Sequence, residues 1–272
     1  MYTVIGAQGF VGSHLARYLA GARRIAPFTP EKGSPALFSR PLGHVFYCAG
    51  LTNDFLQRPF DTVEAHVTLF ARLLKEAAFD SMTYLSSTRL YDSGGPTGNE
   101  EDTLELNPNE PRHLYDLSKA LGENLCQTAG RKNVRAVRLA CVYADDLEAD
   151  IFLHRVILAA KQGGPLKMGV SPDSARDYIH VDDVLPILLA IAERGRRPLY
   201  NLASGANVSN AELFKLLFRL TGWQLEATQP PSGDPTPVID IQAILEDFAI
   251  RPKFLGDRLP GMLRQKPTLG AA

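Results

Sequence analysis

The sequence has few cysteines and almost no net charge. Its three cysteines, Cys48, Cys126 and Cys141, lie far apart, so no paired spacing for a structural metal or a redox disulfide exists. This use of cysteine favours a reduced, cytoplasmic compartment. The formal net charge of -1 gives no electrostatic reason to expect nucleic acid or an anionic membrane as a partner. The six histidines are scattered and form no metal-ligand spacing, so we expect no metal site.

Long hydrophobic runs are also missing. The most apolar segment, Val184–Ala192, is too short to span a bilayer and contains Pro186. We expect no signal peptide, because no basic segment followed by a long apolar stretch precedes the first apolar strand. Hydrophobic residues make up 45% and charged residues 22% of the chain, which is typical of a globular protein.

Apolar strands and helix-period segments alternate along the chain, which is the pattern of βαβ units. The predicted strands are Tyr2–Ile5, Ile25–Phe28, His44–Cys48, Ser81–Ser86, Val134–Leu139 and Pro198–Leu202. The predicted helices are Val11–Ala20, Phe60–Ala78, Tyr115–Ala129 and Asp150–Lys161. Near-continuous apolar strands suit a parallel sheet covered on both faces. The sequence therefore predicts an α/β fold: a Rossmann-like doubly wound parallel sheet with a smaller C-terminal substrate lobe.

The 272 residues suit a core domain that carries a smaller lobe. We predict a core over residues 1–144, to which residues 177–202 return, a lobe formed by residues 145–176 and 203–265, and a loose tail at 266–272. One connection, residues 92–112, is unusually long and rich in Gly, Pro, Asn and Glu. A loop of about twenty residues between a strand and a helix is either functional or partly disordered.

Three glycines follow the first predicted strand and lead into the first predicted helix. Gly6, Gly9 and Gly12 have the spacing at which glycine permits a tight turn, close approach of the backbone to a pyrophosphate, and close packing of strand and helix. The helix N-terminus then presents unpaired N–H groups and the positive end of its dipole to the phosphates. This pattern predicts a site for NAD or NADP.

The sequence leaves the choice between NAD and NADP open. An acidic residue about twenty positions after the glycines would bind the adenosine ribose hydroxyls, whereas an arginine there would favour the 2′-phosphate. Glu31 lies just beyond the second predicted strand, with Arg23, Arg24 and Lys32 around it. Neither rule is met cleanly, so both cofactors are retained.

A tyrosine and a lysine stand four residues apart at the start of the third predicted helix. Tyr115 and Lys119 lie on one helix face, so the phenol and the ammonium can enter one pocket. The ordinary pKa of tyrosine, near 10, is too high for efficient proton exchange at neutral pH. A cation roughly 4 Å away contributes ~4 kcal/mol, which lowers the pKa of the phenol by ~3 units. The preceding strand ends in Ser86, Ser87 and Thr88, at the sheet edge where α/β proteins bind ligands.

In this order and spacing, the motifs resemble the extended short-chain dehydrogenase/reductase family, and more narrowly its NAD-dependent sugar-nucleotide epimerase/dehydratase branch. The resemblance covers roughly residues 1–250. Arg138-Leu-Ala-Cys-Val-Tyr143 is similar to the family's strand after the catalytic helix. Arg176-Asp-Tyr-Ile-His-Val-Asp-Asp183 is close to a narrower hallmark of the branch.

The resemblance assigns roles to individual residues. It implies that Tyr115 exchanges a proton with the substrate and that Ser87 is the catalytic serine beside it. It implies that Lys119 lowers the pKa of Tyr115 and holds the nicotinamide ribose. Arg176 would meet a substrate diphosphate, for which a bidentate guanidinium is suited. The resemblance places Gly6, Gly9, Phe10, Val11, Gly12, Ala49 and Lys119 against the cofactor, and Thr88, Cys141 and Arg176 against the substrate.

The sequence departs from the family pattern at several positions. Dehydratases that remove water from carbons 4 and 6 carry an acidic pair directly after the catalytic Ser/Thr, where this sequence has Thr88 and Arg89. That elimination then lacks its acid and base, which leaves oxidation or reduction at one carbon, as in a 4-epimerase or a 4-keto reductase. Cys141 and His66 replace two asparagines of the family. The short stretch before Cys48 also predicts that one strand of the family's sheet is missing.

The leading hypothesis is an NAD(P)-dependent oxidoreductase or epimerase that acts on a nucleotide-activated sugar. One alternative is a reductase of a non-nucleotide carbonyl substrate on the same fold, which Cys141 and Pro231, at the position of a family arginine, favour. Another is a non-catalytic dinucleotide-binding protein, against which the intact Tyr115 and Lys119 argue. The resemblance also implies a homodimer, paired through a four-helix interface that includes the catalytic helix. We interpret His180 as structural, because a buried histidine usually finds a partner in the core.

Overall fold

A computed structural model describes residues 1–147, 149–163, 166–233 and 236–264 of the chain. The strands are β1 (Tyr2–Ile5), β2 (His44–Tyr47), β3 (Ser81–Ser87), β4 (Thr97–Gly98), β5 (Val134–Leu139), β6 (Cys141–Tyr143), β7 (Leu166–Met168), β8 (Ala175–His180), β9 (Leu199–Leu202), β10 (Asn207–Ser209), β11 (Leu225–Ala227) and β12 (Val238–Ile239). The helices are α1 (Phe10–Gly21), α2 (Ala36–Ser39), α3 (Pro59–Val63), α4 (Leu69–Glu76), α5 (Leu114–Thr128), α6 (Phe152–Gln162), α7 (Val181–Arg194), α8 (Asn210–Thr221), α9 (Gln242–Phe248) and α10 (Leu255–Arg264).

The central sheet is parallel and has the order β1-β2-β3-β5-β9. Helices α1, α7 and α9 cover one face, and α4 and α5 cover the other. Because both faces are covered, the strands are buried along almost their whole length. The prediction of a Rossmann-like doubly wound parallel sheet is confirmed. The carboxyl ends of β1, β2 and β3 meet at one edge, where such sheets bind ligands.

The predicted strand Ile25–Phe28 is wrong. Of this segment, Phe28 forms an isolated bridge to Thr3, through hydrogen bonds on either side of that residue. Pro27 has no N–H group to donate to a ladder, and the Ile25 N–H bonds to the carbonyl of Leu19, at the end of α1. In the described residues the central sheet therefore ends at β1 on this side, apart from the single bridge at Phe28. The prediction that one strand of the family's sheet is missing stays a prediction.

A smaller lobe lies beside the carboxyl edge of the sheet. Its centre is a three-stranded sheet of order β10-β8-β6, packed against α6, α8 and α10. Tyr143, Tyr178 and Trp223 are buried in its core. His180, at the end of β8, caps α7 because its ring nitrogen accepts the N–H of Asp182 at 3.2 Å. The predicted loose tail at 266–272 lies outside the described residues.

The predicted helix Phe60–Ala78 contains a π-helical turn. Residues Glu64–Thr68 join α3 to α4, and the Leu69 N–H bonds to the Glu64 carbonyl five residues back. The wider turn leaves two carbonyl groups for other donors. Tyr47 donates to the Ala65 carbonyl at 2.6 Å, and Tyr84 donates to the His66 carbonyl at 3.0 Å. Two tyrosines of the central sheet thus stabilise the turn that brings His66 into the interior.

A buried ion pair connects the central sheet to α5. Arg138, on β5, binds both oxygens of the Glu123 carboxylate, and its Nη2 lies 2.7 Å from one of them. The Arg138 Nη1 also donates to the Tyr91 hydroxyl oxygen at 2.5 Å. Both charged side chains are almost fully buried, so each needs the other. The pair fixes α5, which carries Tyr115, against the segment that follows β3.

In the described parts of the chain, every helix is too short or too polar to cross a lipid bilayer.

Candidate active site

The glycine loop lies between β1 and α1. Gly6 has a φ of +86°, and a Cβ atom there would lie 2.6 Å from the backbone nitrogen of Ala49. A Cβ atom on Gly12 would lie 2.3 Å from the carbonyl oxygen of Gly6. Both positions therefore require glycine for the fold of the loop itself. The close contact also places Ala49, just after β2, against the turn.

Gly9 differs, because the protein around it does not require glycine. A Cβ atom there would meet the Gly6 carbonyl oxygen at 3.4 Å, an ordinary van der Waals separation. The free space at Gly9 fits the close approach of a pyrophosphate. α1 then begins at Phe10 with no side-chain cap and no acidic residue in its first turn, so its N–H groups can bind phosphate. The predicted cofactor residues Gly6, Gly9, Phe10, Val11 and Gly12 thus lie along the loop and the start of α1, and Ala49 lies against Gly6 from the segment after β2. This arrangement fits NAD or NADP.

Tyr115, on the first turn of α5, meets Ser87 at the end of β3. Ser87 is close enough to Tyr115 to lower the pKa of the phenol, and its hydroxyl oxygen accepts the N–H of Arg89 at 3.2 Å. Burial raises the pKa of Tyr115, while Ser87 and the Arg89 guanidinium lower it. The net direction is upward, so the phenol is protonated at neutral pH. A protonated phenol can donate to a carbonyl oxygen.

Lys119 lies one turn further along α5 and is 6% exposed. Its Nζ donates to the Leu85 carbonyl at 2.7 Å and lies 5.9 Å from the centre of the Tyr115 ring. Burial lowers the pKa of Lys119 to about 8. A Cβ atom on Gly50 would lie 3.4 Å from this Nζ, so the glycine keeps the space beside the ammonium open. The roles of Lys119 toward Tyr115 and the nicotinamide ribose stay predictions.

His66 packs edge-on against Tyr115, with ring centres 5.3 Å apart. Its Nδ1 lies 2.8 Å from the Ser118 hydroxyl, which itself donates to the Tyr115 carbonyl, so Nδ1 is the donor of this pair. Its Nε2 accepts the N–H of Leu51 at 3.2 Å. Burial and the charge of Lys119 lower the pKa of His66 to about 3. His66 is therefore a neutral ring that holds its neighbours through both nitrogens.

The three residues predicted to meet the substrate line one cleft between the core and the lobe. Thr88 follows β3, Cys141 begins β6, and Arg176 lies on β8. The cleft is also lined by Asp92, Asp177, Asn207, Thr236, Pro237 and Ile239. The Cys141 side chain faces the open cleft, yet the dense protein around it raises the pKa of the thiol to about 11. Cys141 in turn raises the pKa of Tyr115, so the cleft adjoins the tyrosine.

Two carboxylates of the cleft were missed by the sequence reasoning. Asp177 is buried and accepts three successive N–H groups of residues 204–206 at 2.8 to 3.0 Å, which fixes the loop after β9. It directly follows Arg176 in the hallmark segment, so the motif contained a signal for it. Asp92 faces the cleft, and burial raises the pKa of its carboxyl group. It lies in the long connection, where no periodicity marks it.

A larger cavity, of about 230 Å³, lies within the long connection predicted to be functional or disordered. It is lined by Leu90, Tyr91, Gly94, Gly95, Thr97, Asp102, Thr103 and Leu104. Arg176 does not line it, and Tyr115 lines neither this cavity nor the smaller cleft. We place the active site at the smaller cleft, because side chains with shifted pKa values gather there.

Comparison with known proteins adds three findings. The model of the family described as "NAD dependent epimerase/dehydratase family" matches residues 35–203. The chain is 25% identical over 302 residues to a dTDP-4-dehydro-6-deoxy-D-allose reductase from Streptomyces sp, with 93% of this chain and 92% of the relative covered. It is 28% identical over 256 residues to a GDP-6-deoxy-D-mannose reductase from Pseudomonas aeruginosa, with 84% and 83% covered.

Among solved structures, MoeE5 in complex with UDP-glucose and NAD superposes with a TM-score of 0.79 at 23% identity. The superposition covers 96% of this chain and 97% of MoeE5. This likeness shows that the two chains share one fold.

Proposed function

The chain belongs to the NAD-dependent epimerase/dehydratase family, and from that membership we propose that it transfers a hydride at carbon 4 of a nucleotide-activated sugar, as a 4-keto reductase. The observation that carries the proposal is the position of Tyr115 next to Ser87, beside the cleft lined by Thr88, Cys141 and Arg176. A carbonyl oxygen between the two hydroxyl groups receives hydrogen bonds from both. The names of the two reductases among its relatives support the same class of reaction.

The chain's own residues transfer the proton that accompanies the hydride. NAD(P)H, when bound at the glycine loop, supplies the hydride to the carbonyl carbon. Tyr115 donates its proton to the carbonyl oxygen, and Ser87 holds that oxygen in place. Lys119 keeps its ammonium in the same pocket, at the side of α5 that faces β3. Solvent then returns a proton to the phenolate.

Arg176 is the proposed contact for the substrate diphosphate. It lies on β8 and lines the cleft together with Thr88 and Cys141. A guanidinium binds phosphate oxygens with two parallel hydrogen bonds, so it fixes the orientation of the sugar as well as its affinity. The sugar then extends from Arg176 toward Tyr115.

Removal of water from the sugar is disfavoured by the residues after Ser87. Such an elimination needs an acid and a base at the positions of Thr88 and Arg89. Arg89 is paired with Asp116, whose carboxylate lies 3.0 Å from the Arg89 Nε. The site therefore supports oxidation and reduction at one carbon.

The test is a turnover assay with NADPH or NADH and two probes, a dTDP-4-keto-6-deoxyhexose and GDP-4-keto-6-deoxymannose. We expect consumption of the reduced cofactor with at least one probe and a 4-hydroxy sugar as product by NMR. Tyr115→Phe is expected to lower kcat by ~10²–10⁴-fold, because the acid is lost, while its affinity for the dinucleotide stays the same. Unchanged turnover in Tyr115→Phe would refute the proposal.

A 4-epimerase uses the same residues and differs in the fate of its cofactor. An epimerase reduces what it has just oxidised, so it keeps one NAD through the cycle. Denaturing the purified chain and identifying any released nucleotide separates the two. Stoichiometric NAD indicates the epimerase, whereas empty protein that binds NADPH or NADH indicates the reductase.

We also propose a homodimer. Phe60 and Val63 on α3 and Leu121 on α5 are exposed apolar side chains, and Phe60 is 88% exposed. α3 and α5 contact each other, so these side chains border one apolar surface beside the catalytic helix. A second copy of the chain fits this surface in a four-helix arrangement. We expect the unaltered chain to sediment as a dimer and Phe60→Ser to sediment as a monomer; a monomeric unaltered chain contradicts the proposal.

A further inference from the structure

Arg89 lies over the ring of the catalytic tyrosine. Its guanidinium carbon is 5.0 Å from the centre of the Tyr115 ring and 5.1 Å from the centre of the Phe55 ring. Its Nε lies 3.0 Å from the Asp116 carboxylate, and its Nη2 donates to the Arg112 carbonyl at 3.0 Å. Four contacts thus hold the guanidinium in one place.

Two cationic side chains, Lys119 and Arg89, lie near the Tyr115 ring. They differ in their distance from the ring centre and in how firmly they hold their proton. The Lys119 ammonium is 5.9 Å from the ring centre, and burial lowers its pKa to about 8. An arginine guanidinium keeps its proton throughout the physiological range. Arg89 is therefore the cation that lies nearer to the centre of the Tyr115 ring.

The other titratable groups around Tyr115 do not replace this charge. Asp116, the next residue on α5, and Cys141, on β6, both raise the pKa of Tyr115. His66 faces the ring from the π-helical turn and is neutral, because its pKa is about 3. Arg89 acts against the first two from the segment after β3.

We propose that Arg89 is a positioning residue for the reaction, which holds the ring of Tyr115 beside Phe55 and supplies the fixed positive charge next to the phenol. The inference rests on the proposed function, in which Tyr115 donates the proton. At position 89 the family's dehydratases carry an acid, whereas this chain carries an arginine that orients the ring of Tyr115 and stabilises its phenolate. The arginine therefore disfavours dehydration of the sugar and favours reduction at carbon 4.

The sign of the effect follows from the charges. Arg89→Gln removes the cation and leaves the Asp116 carboxylate, so the phenolate form of Tyr115 becomes less stable. The pKa of Tyr115 is then expected to rise by about one unit. The guanidinium carbon lies 5.0 Å from the centre of the ring, and the Asp116 carboxylate balances part of its charge. Reduction requires the protonated phenol. The alkaline limb of the kcat profile therefore moves to higher pH by the same amount.

The first experiment measures the phenol directly and needs no sugar. The ultraviolet signal of tyrosinate is followed against pH in the full chain, and the same titration of the Tyr115→Phe variant is subtracted to isolate Tyr115. We expect an upward shift of about one pH unit in Arg89→Gln and a smaller shift in Arg89→Lys, which keeps the charge. Arg72→Gln is the matched control, because Arg72 also lies over an aromatic ring and pairs with a carboxylate on α4.

A second variant tests the opposite sign. Asp116→Asn removes the nearby negative charge and keeps an oxygen for Arg89, so the pKa of Tyr115 is expected to fall. This variant keeps the inference testable if Arg89→Gln, which leaves Asp116 buried and unpaired, fails to fold. Equal titration curves for the unaltered chain and Arg89→Gln, or an unshifted curve in Asp116→Asn, would overturn the inference.

The kinetic experiment separates this inference from the proposed function. If Tyr115→Phe retains full turnover, the proposed function fails. If Tyr115→Phe is inactive but the pH profiles of Arg89→Gln and the unaltered chain coincide, the role of Arg89 fails alone. Both hold if Tyr115→Phe is inactive and the alkaline limb of Arg89→Gln moves upward.

Discussion

The two ends of the site are built in different ways. At the cofactor end, backbone atoms set the shape: Gly6 and Gly12 leave no room for a side chain, and Gly9 leaves room for a ligand. At the substrate end, side chains are held by other side chains. Arg89 is held by Asp116, for example, and faces the ring of Tyr115.

The difference shows how one family can carry several reactions. The conformation of the glycine loop is set by backbone atoms and depends little on the side chains around it. The cofactor end can therefore keep its structure among relatives. A group held by side chains changes its chemistry when one partner is exchanged. Arg89, two residues after the proposed catalytic serine and at a position where the family's dehydratases carry an acid, is such a change. Substitutions at the two ends should therefore affect different measured quantities.

The largest effect on stability is expected at the buried ion pair. Arg138→Met leaves the Glu123 carboxylate buried without its partner, so the free energy of unfolding falls by about 3–5 kcal/mol. Urea denaturation measures this loss. Arg72→Met is the control, since its pair with Glu76 is exposed and contributes at most about 1 kcal/mol. Equal losses in the two variants would show that the buried pair has no special role.

A smaller loss of stability is expected in the glycine loop. Gly12→Ala places a Cβ atom 2.3 Å from a backbone oxygen that cannot move away without opening the turn. We expect the free energy of unfolding to fall by about 3 kcal/mol. Gly21→Ala, at the other end of α1, has no atom within 4 Å of the new Cβ and should lose nothing. A similar melting temperature for both variants would contradict the packing argument.

The next effect is a pH dependence that originates at His66. The pKa of His66 is about 3 in the folded chain against an ordinary value of 6.5, so the unfolded chain binds the additional proton between these values. Stability from this residue is complete above 6.5 and decreases as the pH falls. The loss reaches about 2 kcal/mol near pH 5. Glutamine does not titrate, so between pH 7 and pH 5 the free energy of unfolding of His66→Gln should fall by about 2 kcal/mol less than that of the unaltered chain. Parallel curves of unfolding free energy against pH for the two proteins would refute this.

The smallest effect is expected at Gly9, where a substitution should lower the affinity for the cofactor without changing the stability of the fold. Gly9→Ala adds a methyl group that the protein itself tolerates, so the melting temperature should not change. The methyl group occupies space at the proposed pyrophosphate position. Affinity for NADH, measured by fluorescence titration, should fall about tenfold, or ~1.4 kcal/mol. An unchanged affinity would place the dinucleotide elsewhere.

The sequence predicted the cofactor end more completely than the substrate end. The glycine spacing is a local pattern, and it predicted the turn and the start of α1; Ala49 was assigned to the cofactor by the family resemblance. Of the ten elements predicted from the sequence, nine agree with the structure within one or two residues at their ends, one of them divided by the π-helical turn; strands and helices of the lobe such as β8 and α8 were not predicted. The strand Ile25–Phe28 was wrong, because its apolar residues were counted while the missing N–H of Pro27 was not.

The substrate end depends on contacts between distant segments, which no local pattern contains. Arg89 was identified from the sequence as a departure from the family, but its position over Tyr115 depends on how α5 packs against β3. The inward position of His66 depends on a π-helical turn that Tyr47 and Tyr84 stabilise from the central sheet. Asp92 lies in a loop without periodicity.

The π-helical turn at Glu64–Thr68 also affects how related sequences are aligned. A turn of this kind contains one residue more than an α-helix needs, and each residue corresponds to a rotation of about 100° around the helix axis. A relative with one residue fewer here would keep a continuous helix, but α3 would be rotated relative to α4. Phe60 would leave the apolar surface, and the side chain beside Tyr115 would change. A one-residue gap at this place would therefore mark a simultaneous change of the proposed subunit contact and of the residue next to Tyr115.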